Sequence, residues 1–376
     1  PVGTVLRSEN GHSFLFGVVK GEGGFGLTYI GKELGSGKLV AIKEYFPSRC
    51  QPQRQPDGSI HPQERFEEIY MHGIESFLSE ASMLRAVSQL PSIVHVMDYF
   101  EAGRTAYMVM EYLNGSALHQ VMQTVERMES NTLLPRFLPL MRDLGSLHDA
   151  GVLHRDIAPD NIMLMSDGSL KLLDFGCARS LEDGRSMTVV LKPGFAPIEQ
   201  YQTRGQGPYT DLYALCATIY YCITGKIPPA SPERLTSTFD GQPDPLTAPS
   251  ALGAAISPEQ EQILMWGLAL QPSVRPQSME ILASRLEKTF AAEKGEVHES
   301  GMQCITVQNR TIQGSKAQNS IMENSMMQSH TVQNPAVQDR MTNEAKTNIQ
   351  VKRLLPVIAA AAGVLIVLVI AILCLL

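Results

Sequence analysis

In the first third of the chain, apolar residues recur in short runs separated by glycine or polar residues. Phe14 to Val19, Leu27 to Ile30, Val40 to Ile42 and Tyr107 to Met110 each predict a strand. Phe77, Ala81 and Leu84 instead share the spacing of one helix face, which predicts an amphipathic helix carrying Glu80. Farther on, Ile162-Met163-Leu164-Met165 and Leu170-Lys171-Leu172-Leu173 flank Ser166-Asp167-Gly168-Ser169, a hairpin with an Asp-Gly turn. Such a hairpin returns Asn161 and Asp174 to one edge.

Beyond about residue 291 the pattern changes to Gln, Asn, Ser, Thr and Met with few aromatics, the composition of a linker. An apolar residue followed by Gln or Glu recurs there every five positions, from Met302-Gln303 to Val337-Gln338. Period five matches neither helix nor strand. A five-residue β-solenoid fits poorly at Ile305 and Arg310, so a flexible tether is expected over 292–353. Leu354 to Leu376 is 23 residues without a charge. As a helix it would span ~35 Å, more than the ~30 Å hydrocarbon core, so a transmembrane helix is expected over 354–376. Lys352 and Arg353 precede it, which places the preceding chain in the cytoplasm. No N-terminal signal peptide is read. Between Lys43 and Glu80 lie 36 residues, of which Pro47 to Gly58 read as an exposed, tolerated loop insertion.

Composition narrows the partners. A net charge of −7 and a pI near 5.8 offer no basic face, so nucleic acid is not expected. The six cysteines show no paired spacing, which fits a reducing cytoplasm and indicates neither a disulfide framework nor a zinc site.

The chemistry lies in four stretches. Gly21-Glu22-Gly23-Gly24-Phe25-Gly26 joins two strands, and glycines there let backbone N–H groups approach phosphates. A strand follows this loop where a dinucleotide-binding turn needs a helix. Seventeen residues past Gly26, Lys43 ends a strand from which it could reach the α- and β-phosphates, with Glu80 to hold it and Glu75 as the fallback. Asp156 could accept the proton of an attacking hydroxyl, Asn161 could hold a magnesium ion, and Asp174 could bridge the metal to the β- and γ-phosphates. Little other chemistry than phosphoryl transfer asks for this set in this order.

Gly-Glu-Gly-Gly-Phe-Gly, Val-Ala-Ile-Lys-Glu-Tyr-Phe-Pro, His-Arg-Asp-Ile-Ala-Pro-Asp-Asn, Asp174-Phe175-Gly176 and Gly-Phe-Ala-Pro-Ile-Glu-Gln-Tyr resemble the eukaryotic-type (Hanks-type) protein kinases of bacteria, over about residues 12 to 290. The resemblance implies an α+β, two-lobed fold, with a β-rich small lobe over 1–113 and a helical large lobe over 114–291. Mg-ATP, with manganese as an alternative metal, would bind between the lobes. Met110 would be the gatekeeper, Glu111 to Leu113 the hinge whose backbone binds adenine, and Ala41 a cover on one face of the base. Glu199 would pair with Arg275, and Asp211 would brace the backbone around His154 and Arg155. Arg155 would meet a phosphate on the activation segment, for which Ser180, Ser186 and Thr188 are candidates.

Two residues depart from the usual serine/threonine pattern. Ala158 stands where a lysine is usual, and Lys192 stands where a threonine is usual, so Lys192 is expected to supply the cation lost at Ala158. The implied function is autophosphorylation and transfer of the γ-phosphate of ATP to serine or threonine of protein substrates in bacterial signalling. A membrane anchor and a homodimer for phosphorylation in trans are the further expected associations. The rival readings are a pseudokinase scaffold, whose usual mark of a missing lysine or metal-binding aspartate is absent here, and a small-molecule kinase of related fold.

Overall fold

The computed structural model describes residues 2–24, 26–175, 179–180, 191–202 and 205–303, with side chains except at 179–180 and 292–303. The chain divides into two units, Pro1–Val307 and Gln308–Leu376. The second unit lies outside the described residues, as do Phe25, Gly176, Ser186, Thr188, most of the expected tether and the expected membrane helix. Among the described residues no helix is long and apolar enough to cross a membrane.

The small lobe is built on a six-stranded antiparallel sheet. Its strands are β1 (Val5–Arg7), β2 (Ser13–Gly23), β3 (Gly26–Glu33), β4 (Leu39–Tyr45), β7 (Val96–Ala102) and β8 (Thr105–Glu111), in the order β1-β2-β3-β4-β8-β7. Strand alternation gives the sheet two apolar faces. On one, Phe14, Phe16, Tyr29, Val40, Ile42, Phe100, Tyr107 and Val109 pack into a separate small core. The other is covered by helix α1 (Glu67–Ala86), which buries Tyr70, Ile74, Phe77, Ala81 and Leu84 at helical spacing.

Between β4 and α1 the stretch is exposed at Ser48, Arg49, Gln51, Gln53 and Gln55 to Asp57, as expected, but it also folds into a short hairpin, β5 (Gln53–Arg54) with β6 (Ile60–His61). Cys50 and Ile60 are fully buried in the main core, and Arg54 reaches back to Glu44 on β4. Apolar residues at 50 and 60 dock the insertion on the lobe, which a reading of its Pro, Gln and Gly content could not register.

The large lobe contains β9 (Gly115–Ala117), α2 (Leu118–Met122), α3 (Ser130–Asp149), β10 (Val152–Leu153), β11 (Ile162–Met165), β12 (Leu170–Leu172), β13 (Arg179–Ser180), α4 (Ile198–Tyr201), α5 (Pro208–Thr224), α6 (Ser231–Phe239), α7 (Pro258–Gly267) and α8 (Met279–Gln303). Helix α5 is buried almost throughout, with Pro208 at its first turn and Gly225, at φ 70°, at its left-handed C-terminal stop. The β11–β12 hairpin pairs Ile162 with Leu172, and Asp167 caps its turn by accepting from the Ser169 amide at 2.9 Å, with Gly168 at φ 84°.

Candidate active site

Asp211, at the first turn of α5, is the anchor on which the catalytic stretch is hung. It is fully buried and accepts from the His154 amide at 2.8 Å and the Arg155 amide at 2.7 Å, while His148 Nε2 lies 2.9 Å away. Burial alone would raise its pKa, but the His148 bond, the histidine charges and the Arg155 amide outweigh that and hold it below the usual value. Arg155 is held in the left-handed region at φ 66°, pinned at its N–H by Asp211 and at its carbonyl by Gln200 Nε2 at 2.7 Å. This clamp sets the direction in which the next residue, Asp156, projects. His154 donates from Nε2 to the Leu173 carbonyl at 2.9 Å and meets the Phe175 ring edge-on, with ring centroids 4.4 Å apart, tying the stretch to the end of β12.

Asn161 donates from Nδ2 both to the Asp156 carbonyl at 2.7 Å and to Asp156 Oδ2 at 2.8 Å. That choice of donor leaves its Oδ1 as the atom that can face a cation. Across the hairpin, the Leu173 amide donates to the Asn161 carbonyl at 2.8 Å, so the two ends of β11 and β12 are held side by side. Asp174 is also left-handed, at φ 45°, and its Oδ1 pairs with Lys43 Nζ. Asp156, Asn161, Asp174 and Lys43 are thus brought to one place from the two lobes.

Glu80, expected to hold Lys43, lies near it without a direct ion pair. Lys43 forms its ion pair with Asp174, and no Lys43–Glu80 pair within 4.0 Å is present among the described residues. Glu80 Oε1 is sealed from water without a hydrogen-bond partner. Burial pushes its pKa up to about 7, with Lys43 lowering and Asp174 raising it. The reason lies in competition for one ammonium: a carboxylate on the β12 side takes Lys43, and Glu80 is left behind it in the lobe.

The glycine loop separates two kinds of glycine. At Gly26 an added Cβ would run into the Glu44 carbonyl, so close strand packing requires it. At Gly21, Gly23 and Gly24 a Cβ would meet nothing within 4 Å, and none has a left-handed φ. Among the described residues nothing asks for glycine at those three positions, which fits a phosphate chain laid against the bare backbone. The Glu22 side chain is exposed.

Ala41 and Met110 are register partners on β4 and β8, both half-buried, and Leu113 is half-buried just past them. The Glu111 amide donates to the His95 carbonyl at 3.0 Å, and its carboxylate takes Lys171 and the His95 amide. Its side chain therefore staples the lobe connection.

Among the described residues no cluster of three or more His, Cys, Asp or Glu could hold a metal by itself. One carboxylate and one amide, Asp174 and Asn161, instead suit a magnesium ion that brings phosphate oxygens and waters as its remaining ligands.

Two features were not legible in advance. Glu44 is fully buried and accepts from Tyr29 Oη at 2.8 Å, Tyr107 Oη at 2.7 Å and Arg54 Nη2 at 2.6 Å. Its position two residues after Ile42, on an inward strand face, is the signal that could have raised it. Asp160, next to Asn161, lies 2.8 Å from Lys192 Nζ. Lys192 also stands 3.0 Å from Asp156 Oδ1. On the far side Glu199, buried at α4, forms a two-pronged pair with Arg275 at 2.7 and 3.1 Å.

A protein kinase domain family model matches residues 17–286. A probable serine/threonine-protein kinase of Streptomyces coelicolor is 28% identical over 74% of this chain and 40% of its own length. Serine/threonine-protein kinase PknA of Mycobacterium tuberculosis is 30% identical over 54% of this chain and 48% of its own. The solved structure titled PpkA-294 apo form is 34% identical, with a TM-score of 0.65, covering 76% of this chain and 98% of that one. The chain spans less than half the length of these two curated relatives.

Proposed function

Because the chain belongs to the protein kinase domain family, we propose that it transfers the γ-phosphate of ATP to serine and threonine hydroxyls of proteins, itself included. The observation that carries this reading is the convergence on one site of Asp156, of Asn161 bonded to it, and of Asp174 paired with Lys43. The serine/threonine preference rests on the relatives' kind and on the motifs.

In this reading Asp156 Oδ accepts the proton of the attacking hydroxyl as the hydroxyl oxygen bonds to the γ-phosphorus. The bond from that phosphorus to the bridging oxygen breaks, and its electron pair leaves with ADP. Burial raises the pKa of Asp156, which makes it a better base than an exposed aspartate, and Lys192 pulls back against that. Asn161 Oδ1 and the Asp174 carboxylate hold magnesium, which neutralises charge on the phosphates when bound. Lys43 leaves Asp174 for the α- and β-phosphates, and Glu80 becomes its natural counter-ion. Backbone amides of Gly21 to Gly24 lie along the phosphate chain, and Ala41, Met110 and Leu113 supply apolar surface to the base.

The kinase unit is tethered through 292–353 to a membrane helix at 354–376, with the kinase facing the cytoplasm at the inner (plasma) membrane. The uncharged 23-residue run after Lys352 and Arg353 supports this. A tether to one surface raises local concentration and favours phosphorylation between copies.

The test is the full chain with Mg-ATP and peptides offering serine, threonine or tyrosine, beside Asp156→Asn, with phosphate mapped by mass spectrometry. Transfer to serine and threonine by the unsubstituted chain alone is expected. Nucleotide binding without any transfer would move the reading to a pseudokinase scaffold. Carbonate-resistant membrane association, lost on deleting 354–376, is expected for the anchor.

A further inference from the structure

Lys192 is fixed in the fold at both ends. Its carbonyl accepts from the Phe195 and Ala196 amides, at 3.1 and 2.9 Å, closing a turn through Pro193 and Gly194. Gly194 sits at φ 87°, and a Cβ there would run into Ile227 and the Pro228 carbonyl, so this turn is seated against the α5–α6 connection. Phe195 and Ala196 are buried, and Ser231 Oγ donates to the Ala196 carbonyl at 2.7 Å.

From that seat the ammonium reaches the catalytic stretch and stands between two carboxylates, 3.0 Å from Asp156 Oδ1, 3.1 Å from Asp156 Oδ2 and 2.8 Å from Asp160 Oδ2. Ala158, between them in sequence, is 1% exposed and packed in the core, so a cation cannot be carried at that position without burying its stem there. Asp160 has 47% of its side chain exposed and forms no other ion pair among the described residues.

We propose that Asp160 is a positioning residue of the phosphotransfer reaction. It holds Lys192 beside Asp156, so that the cation absent from the catalytic stretch is delivered by the segment that precedes α4. The charge arithmetic explains why a second carboxylate is needed. With Asp156 as its only partner, the ammonium would neutralise the base and compete with the substrate hydroxyl for its oxygen. Shared with Asp160, the same ammonium is drawn toward a second carboxylate instead of resting on Asp156 alone, and it stays within reach of charge developing on the transferred phosphoryl group. Lys192 is available only when the 191–196 turn is seated, which ties turnover to the fold of that turn.

This inference rests on the phosphotransfer reading above. The test is a double-mutant cycle in the full chain, measuring kcat and KM for ATP with a serine/threonine peptide for wild type, Lys192→Met, Asp160→Asn and the pair. Lys192→Met should lower kcat by about thirtyfold and Asp160→Asn by about tenfold, with KM for ATP moving less than about threefold, because both act on the developing charge. The double variant should be no slower than Lys192→Met, since Asp160 works only through the lysine. Multiplied effects, or an Asp160→Asn kcat within about twofold of wild type, overturn the proposal. So does an Asp160→Asn chain that melts below the assay temperature, which would make the residue structural. An inactive wild type overturns the phosphotransfer reading itself, and this inference with it.

Discussion

Arg54→Ala is the perturbation that most directly tests how the small lobe is held. Glu44 is fully buried on β4, next to Lys43, and has three donors: two tyrosine hydroxyls and one guanidinium. Removing the guanidinium takes away the sole cation within ion-pair distance of it among the described residues. Breaking a buried pair from one side costs about 3–5 kcal/mol, because the remaining charge stays desolvated. Two phenolic donors remain, and Arg54 is itself 27% exposed, so the expected loss is about 2–3 kcal/mol. At roughly 2–4 °C per kcal/mol for a domain of this size, Tm should fall by about 4–12 °C. Thermal melts followed by far-UV circular dichroism are the assay, since the one tryptophan, Trp266, sits in the large lobe on α7 and would not report the sheet. Glu67→Gln is the control, because the Glu67–Arg104 pair is exposed on both sides and should be worth less than about 1 kcal/mol. A fall in Tm for Arg54→Ala no larger than that of Glu67→Gln would refute the argument that the insertion clamps a buried charge.

Three other outcomes are expected. Gly26→Ala should destabilise the fold by about 1–3 kcal/mol through its clash with the Glu44 carbonyl and so lower Tm, whereas Gly23→Ala should leave Tm unchanged and weaken ATP binding in calorimetry; equal effects on Tm would sink the distinction. Arg275→Met should destabilise by about 3–5 kcal/mol in urea unfolding, because Glu199, 3% exposed, would be left buried beside a single hydroxyl, that of Thr210. Glu80 is a carboxyl whose folded pKa, about 7, lies above its ordinary 4.5. The native state therefore holds more protons across that window, and nucleotide-free stability should fall as pH rises from about 4.5 through 7. Glu80→Gln should flatten this slope and be the more stable protein above pH 7; parallel pH profiles would show that Glu80 does not titrate in this range.

Local chemistry was written in the chain wherever a short stretch completes its own logic. The Asp-Gly hairpin returns Asn161 and Asp174 to one edge because strand period and turn geometry are set by adjacent residues. The helix face of Phe77, Ala81 and Leu84 follows from the 3.6-residue period. The fold class was legible because the motifs come in order along the chain and each marks a known element.

What the sequence left open were the partnerships between distant residues. Lys43 has two carboxylates to choose from, and only the tertiary approach of Asp174, just past β12, to Lys43 on β4 gives it to Asp174 rather than to Glu80. The stretch after Lys43 has the composition of a loop, yet burial of Cys50 and Ile60 and the reach of Arg54 to Glu44 dock it on the sheet. Ala158 and Lys192 suggested an exchange by their types alone, while Asp160 as the second anchor emerged only from the 2.8 Å contact. The period of a pattern is fixed by neighbours in the chain, so sequence determines elements. The choice of a partner for a buried charge depends on which atoms packing brings within about 3 Å, and that is decided by the tertiary structure alone.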